Sequence, residues 1–540
     1  MQMAKLNYAH MIEEIRDNAG TGDLMKARLV LSHFGDVDLK TRNRLVYELS
    51  RGKAEFSIPL LLFLIDEYPD VLEAMPIIKE TLLSNLLAYP EMLLSFLKDP
   101  ALPDKKELIR IAAELKFDET TPVLIDIAAN TTDEAEIHLI IETLGHIGDP
   151  EATHTLTEFL YTGKNELGSA AVRSLGMVGT PTAMHRLAER MGADNEIDFL
   201  ILSVFAEVQD RVSLEKLSET LASHYAHMRS FAKKELVKIG PKAVPFLIAN
   251  LGRRDSDFLV HTLNVLGDIG DESAVVPIRK LLQNEPKSAN VRFAAYEALA
   301  LLPLRKGAYT LTAGLLDAEE HVCIAAARAI DQNFSNILGA GIKNLLRNMD
   351  DEAKHIVKII IDSQADKVFL SLAEEDFFQE LALIYLPLTH KDTLHHYHDL
   401  LTGNGFKDFA GKIAGEKIET TRSRVVAVDD SKMILNIYKS TLHQLGFDPI
   451  LFEFPSAAIE WLQSEKPLLV LTDLNMPDIT GVQLTKEIRK IYSGPELPVI
   501  MVTTQNDAND NEAAVRAGVD KIIHKPFNAA SLQAAMAEYL

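Results

Sequence analysis

Five residues in the last quarter of the chain carry groups whose types and spacing suit joint chemistry: Asp429, Asp430, Asp473, Thr503 and Lys525. Each stands at or just past the end of a short apolar run. VVAV precedes the Asp pair, LLVL precedes Thr472-Asp473, VIMV precedes Thr503 and KIIH precedes Lys525. Three carboxylates brought together repel one another and need a cation. Oxygen-only ligands select a hard ion, and Mg2+ keeps waters while taking one or two carboxylates plus a phosphate. Asp473 follows the run that reads as the best-buried strand, which makes it the candidate nucleophile. A phosphoryl group there would add charge and acceptor oxygens for Lys525 and Thr503 to pair with. Taken singly, each residue has a plainer reading: Asp-Asp ahead of a helix can be an N-cap, and Lys-Pro can be a turn. It is their joint placement that points to a site.

The elements that would position these groups are legible. VVAV (425–428), PILF (449–452), LLVL (468–471), VIMV (499–502) and KIIH (521–524) are short β-like runs, with helical stretches such as MILNIYKSTLHQLG and LTKEIRKIY between them. Strands alternating with helices predict a parallel sheet covered on both faces. In such sheets, function collects at the carboxyl ends of the strands.

This constellation resembles the response-regulator receiver domain of the CheY-like type, over residues 424–540. The motifs that carry the resemblance are VDDS (428–431), TDLNMPDITG (472–481), VTT (502–504) and HKPF (524–527), with Thr503 30 residues after Asp473 and Lys525 22 after Thr503. The resemblance implies a flavodoxin-like (βα)5 fold. It implies that Asp473 is the phosphoacceptor and that Asp429, Asp430 and Asp473 hold Mg2+ with the backbone carbonyl of Asn475. It further implies that Thr503 is the switch hydroxyl, that Lys525 contacts the phosphoryl group, and that the Lys525–Pro526 bond is cis. A histidine kinase is the implied phosphodonor, and transfer is self-catalysed, so the chain is not expected to be an enzyme in the usual sense. One position departs from the pattern: many receivers carry a mobile aromatic three residues before the Lys, and Ile522 stands there. Thr504 and Gln505 follow the switch Thr and are expected to tune phosphoryl lifetime.

The first four hundred residues repeat. LGHIGDPEA (144–152), LGMVGTPTA (175–183) and LGDIGDESA (266–274) align, and LVKIGPKAV (236–244) matches more loosely. Their junction glycines, the second of the motif where there are two, fall at 148, 179, 240 and 270, which leaves one hidden copy near Val208-Gln209. Weaker copies fit near Phe117, Pro303 and Asn333, and Phe56 and Tyr89 are candidates upstream. In each of the four a helix is expected to end at Gly in a left-handed backbone, and in three of them a Pro one or two residues on opens the next helix. A single helix pair cannot bury both apolar stripes, but stacked pairs can. The spacing and the L-G-x-I-G junction resemble short HEAT-like repeats. The expected organisation is therefore multidomain: an all-α HEAT-like solenoid of about ten helix pairs over 1–402, a linker over 403–423 and an α/β receiver over 424–540. Such a solenoid implies a protein partner, and the resemblance leaves its identity and the face it uses open.

Composition narrows the function class. The formal charge is −23. From Arg424 on there are ten basic and fifteen acidic residues, so about −18 lies on the rest. That balance argues against a nucleic-acid or anionic membrane surface. One cysteine, Cys323, forbids an intrachain disulfide and suits a reducing cytoplasm. The densest apolar run, IPLLLFLI (58–65), is far shorter than the roughly 20 residues of a membrane helix, and the N-terminus lacks a signal-peptide core. Arg253-Arg254 is the most basic spot and reads as a solvated turn. His390, His395, His396 and His398 lack the companion ligands of a metal site and read as a polar helix. Three functions are expected candidates: a phosphorylation-controlled interaction switch, a phosphate sink or chemotaxis-type adaptor, and a regulated enzyme or nucleic-acid binder in the helical part. The charge disfavours the third.

Overall fold

The computed structural model describes residues 8–540 except 69, 101, 103, 193, 305–307, 390, 414–422, 477–478, 504–507, 526, 528 and 540. Two compact units emerge, Met1–Ser213 and Leu214–Leu540.

The first unit is built of helix pairs. Helix Glu134–Ile147 ends at Gly148, whose φ of 79° is the left-handed stop the repeat predicts. Helix Asn165–Val178 ends the same way at Gly179. Thr180 then caps Pro181–Arg190 by accepting the Ala183 N–H. The hidden copy is present: helix Asn195–Val208 closes on Gln209, a non-glycine held at φ 53°. The upstream copy assigned to Phe56 is not a junction, because Phe56 lies inside helix Ala54–Glu67 with its ring buried. Tyr89 does separate two helices, Ile77–Ala88 and Pro90–Lys98.

Where a junction motif carries a first glycine, that glycine has a second task. A Cβ on Gly145 would lie 2.6 Å from Ser174, and one on Gly176 2.7 Å from Val204. Neighbouring repeats meet at these points with no room for a methyl group.

The second unit begins with further helix pairs, among them Ala226–Ile239, Ser256–Ile269, Ala289–Leu301 and Glu320–Gln332. Gly267 repeats the close approach, 2.9 Å from the Cα of Ala298. The helical part runs past the expected boundary at 402. Residues Lys407–Ile413 form a helix that buries Phe409, Ala410 and Ile413, and Phe409 stacks on Phe369. The segment 403–423 is therefore not wholly linker, because three apolar residues at helical spacing dock it onto the repeats.

The same unit holds a five-stranded parallel sheet: β1 Arg424–Val428, β2 Asp448–Phe452, β3 Val470–Thr472, β4 Val499–Thr503 and β5 Lys521–His524. The strand order is β2-β1-β3-β4-β5. All pairs are parallel. One face packs Val425, Ala427, Leu471, Ile500 and Val502 under the helix Lys432–Gln444. The other packs Val426, Val428, Val470 and Val499 under Pro455–Leu462 and Gly481–Ile491. The single tryptophan, Trp461, lies on this second face beside Phe452, with the Arg424 guanidinium 5.5 Å from its ring centre. β3 is shorter than the apolar run LLVL: Leu468 and Leu469 bond to β1 through single backbone contacts ahead of the ladder. The helix Glu320–Gln332 touches the helix Lys432–Gln444, joining repeats to sheet within this unit.

Candidate functional site at the carboxyl edge of the sheet

Register assembles the site. Val428 pairs with Thr472, so the next residues, Asp429 and Asp473, leave the sheet side by side. The Asp473 N–H bonds to the Val428 carbonyl at 3.0 Å. Thr503 pairs with His524, and the Lys525 N–H reaches the Thr503 carbonyl at 2.8 Å. β1 has β2 on one side and β3 on the other, so the acids stand where the strand order reverses.

The side chains converge. Lys525 Nζ lies 2.6 Å from Asp429 Oδ2 and 3.3 Å from Asp473 Oδ1. Asp429, Asp430 and Asp473 each offer a carboxylate oxygen within 4.8 Å of the others. Asp429 is fully buried and accepts the Ser431 N–H at 2.9 Å, while Asp473 is partly open and accepts the Leu474 N–H at 2.8 Å. Burial pushes the Asp429 carboxyl up, the Asp473 charge adds to this, and the Lys525 ammonium opposes it. Asp430 keeps an exposed edge, and partial desolvation of its carboxyl together with the Asp473 charge raises it. Burial alone would lower the Lys525 ammonium, but its two ion pairs outweigh that and hold it above the ordinary value. A cluster of hard oxygens with more negative charge than one lysine balances fits a small divalent cation.

Gly481 makes this corner possible. A Cβ there would stand 2.0 Å from the Asp473 carbonyl oxygen. Its N–H bonds to the Leu474 carbonyl at 2.8 Å, and Thr480 and Gln483 form a capping box that fixes the start of the following helix.

Other predicted residues fall as follows. Asn475 lines the same cavity as the three acids and Lys525. Thr503 is buried at the end of β4. Ile522 packs with Leu474, Met501, Ala514 and Val519, an aliphatic contact where an aromatic was the alternative. Thr504, Gln505 and Pro526 lie outside the described residues. So does His390; among its neighbours, His396 pairs with Asp366 at 2.8 Å and His398 with Asp399 at 3.2 Å, which suits a polar helix. Arg253 is tied to Glu219 at 3.0 Å and packs over Phe258.

One feature of the site was not foreseen from sequence. The cavity over the acids, about 590 Å3, is also lined by Arg229, Lys233, His261 and Glu297 of the helical repeats. Nothing in the sequence marks Arg229 until it is set against Arg292, two repeats later, in the same place on its helix.

The family model of the response regulator receiver domain matches residues 425–537, and that of HEAT repeats matches 121–200 and 244–331. The chemotaxis protein CheY homolog of Campylobacter jejuni is 36% identical over 107 residues, 19% of this chain and 82% of the relative. Chemotaxis protein CheY1 of Helicobacter pylori is 38% identical over 106 residues, 19% of this chain and 86% of the relative. The chain belongs to the response-regulator receiver family. Among solved structures, the receiver is similar to chemotaxis response regulator CheY4 of Vibrio cholerae, at 27% identity over 22% of this chain and 100% of that one, with a TM-score of 0.21. Ahead of the receiver stand the HEAT repeats, the second half of which packs with it in one unit. Among the described residues, no helix is long and apolar enough to cross a membrane.

Proposed function

We propose that the chain is a two-component response regulator that takes a phosphoryl group onto Asp473 and uses it to control a protein–protein interaction of its HEAT repeats. The observation that carries this reading is the Lys525 ammonium set between Asp429 and Asp473, with three carboxylates in reach of one ion. An Asp473 carboxylate oxygen attacks phosphorus, the phosphorus–nitrogen bond of a kinase phosphohistidine breaks, and the electron pair returns to the imidazole. Lys525 then pairs with the phosphoryl oxygens, and Thr503 supplies a hydroxyl to them. Asp429, Asp430, Asp473 and the Asn475 carbonyl would hold Mg2+, which when bound offsets the charge of the phosphoryl group. Water later attacks phosphorus and releases inorganic phosphate, restoring the Asp473 carboxylate. The chain thus catalyses only its own modification and its loss, in a cytoplasmic setting.

The chemotaxis names of its relatives favour a second reading, a phosphate sink or adaptor in which the repeats only localise the receiver. The test uses acetyl phosphate and Mg2+ on the full chain. Intact mass should rise by one phosphoryl group in wild type and not in Asp473→Asn. A modified wild type whose partner binding and solution-scattering profile stay fixed would favour the sink; an unmodified wild type would remove both readings.

A further inference from the structure

Arg229 and Arg292 occupy the fourth position of their helices, Ala226–Ile239 and Ala289–Leu301. Both use Nη1 to hold the loop before the helix. Arg229 donates to the Ser223 and His224 carbonyls at 2.7 and 3.1 Å, and Arg292 to those of Pro286 and Lys287 at 2.7 and 3.2 Å. Beyond that anchor they differ. Arg292 turns Nε and Nη2 onto Asp317 in a two-pronged pair at 2.7 and 2.8 Å. Among the described residues, no hydrogen bond takes Nε or Nη2 of Arg229. Asp255, which stands before the next helix as Asp317 does, accepts the N–H groups of Asp257 and Phe258 on Oδ1, and among the described residues it makes no hydrogen bond or ion pair with Arg229.

The Arg229 guanidinium lines the cavity that also holds Asp430, Asp473 and Lys525. Burial lowers its pKa, and the charges of Asp430, Asp473 and Asp257 oppose that. Lys233, one turn on, pairs with Asp268 at 3.6 Å and bears on Asp430. A planar fork with two donors side by side matches two oxygens of a tetrahedral oxyanion, as Arg292 matches two oxygens of a carboxylate.

We propose that Arg229 is a phosphate ligand supplied by the HEAT repeats, its Nε–Nη2 fork binding the phosphoryl group carried on Asp473. This rests on the phosphoacceptor reading above. It makes the repeats from Leu214 onward the surface that reads the receiver, with no mobile aromatic needed at Ile522. Phosphorylation then tightens the helix Ala226–Ile239 against the receiver, and hydrolysis releases it.

The test uses the full chain with beryllofluoride and Mg2+ as the phosphoryl mimic. Fluorine NMR reads binding, and hydrogen–deuterium exchange reads residues 226–239. In wild type the mimic should bind and slow exchange in that helix, and Asp473→Asn should lose both effects. Arg229→Ala should still bind, roughly tenfold more weakly as one charge-assisted fork is lost, and without the added protection of the helix. Arg229→Lys keeps the charge and the long aliphatic stem but not the fork, so it should fall between them, and it controls for folding. Unchanged affinity and unchanged protection in both Arg229 variants would overturn the proposal while leaving the phosphoacceptor reading intact. Absence of mimic binding in wild type would remove that reading, and this one with it.

Discussion

Lys525 and Asp429 form an ion pair that water scarcely reaches. Removing one partner from such a pair leaves an uncompensated charge, at a cost of about 3–5 kcal/mol. Lys525→Met should therefore lower the melting temperature sharply, and Mg2+ should restore more of the loss than it adds to wild type. Equal Mg2+ responses in the two proteins would contradict a shared role of lysine and cation. Gly481→Ala places a methyl group against the Asp473 carbonyl oxygen, so it should destabilise the receiver and slow phosphorylation of Asp473. Both losses are read on the same sample, by melting and by mass. His261 faces Arg229, Lys233 and Asp255 and is half-buried. Burial and the two cations push its pKa down to about 4. The unfolded chain takes up that proton near pH 6.5, so this contribution is complete above pH 6.5 and is lost as pH falls toward 4. Between pH 7 and 5 the loss is at most about 2 kcal/mol, and His261→Gln should flatten that part of the stability curve. Asp429, Asp430, Asp473 and Lys525 were legible because each follows an apolar run. Arg229 was not, because a basic residue on a helix has no local signature; its meaning comes from what faces it.

The strand-end geometry and the repeat junctions share a logic: an element's last residue decides what the next can do. The second glycine of each junction was readable as a helix stop because the left-handed backbone has a sequence signature. The first glycine was not, since its reason is a neighbouring repeat's atoms. The two should respond differently to the same change. Gly148→Ala meets only the left-handed penalty of about 1 kcal/mol. Gly145→Ala must displace Ser174, and Gly267→Ala the backbone of Ala298, with overpacking costs of about 1–3 kcal/mol. Denaturant titration of the four variants, including Gly270→Ala, should rank 145 and 267 as the more damaging sites. Gln209 shows why one copy was hidden: the left-handed stop is kept without glycine. The misplaced junction at Phe56 came from spacing alone, whereas the linker was overlong because Phe409, Ala410 and Ile413 are too few to set an apolar rhythm among Gly, Lys and Thr.

At the scale of the chain, the switch from helical to alternating period falls where β1 Arg424–Val428 begins, because a parallel sheet buried on both faces needs short apolar runs that recur between helices. What composition could not reveal is that the repeats from Leu214 pack with the receiver as one unit. That contact is not uniformly favourable. Lys439 on the receiver helix feels the like charge of Arg328, and burial and that charge both lower its pKa. Arg328 in turn faces Glu297, which lines the cavity. Lys439→Gln should therefore stabilise the packed unit modestly, by up to about 1 kcal/mol, and reduce hydrogen exchange in both contacting helices. A drop in stability would mean that Lys439 has an attractive role. Trp461 supplies a way to watch this from inside. As the sole tryptophan it makes ultraviolet emission a private signal of the receiver, whereas far-ultraviolet ellipticity is dominated by the repeats. Two optical channels thus separate the two architectures without a label. If the Leu214–Leu540 unit melts cooperatively, the emission transition will coincide with one step of the ellipticity, and beryllofluoride with Mg2+ will move both together.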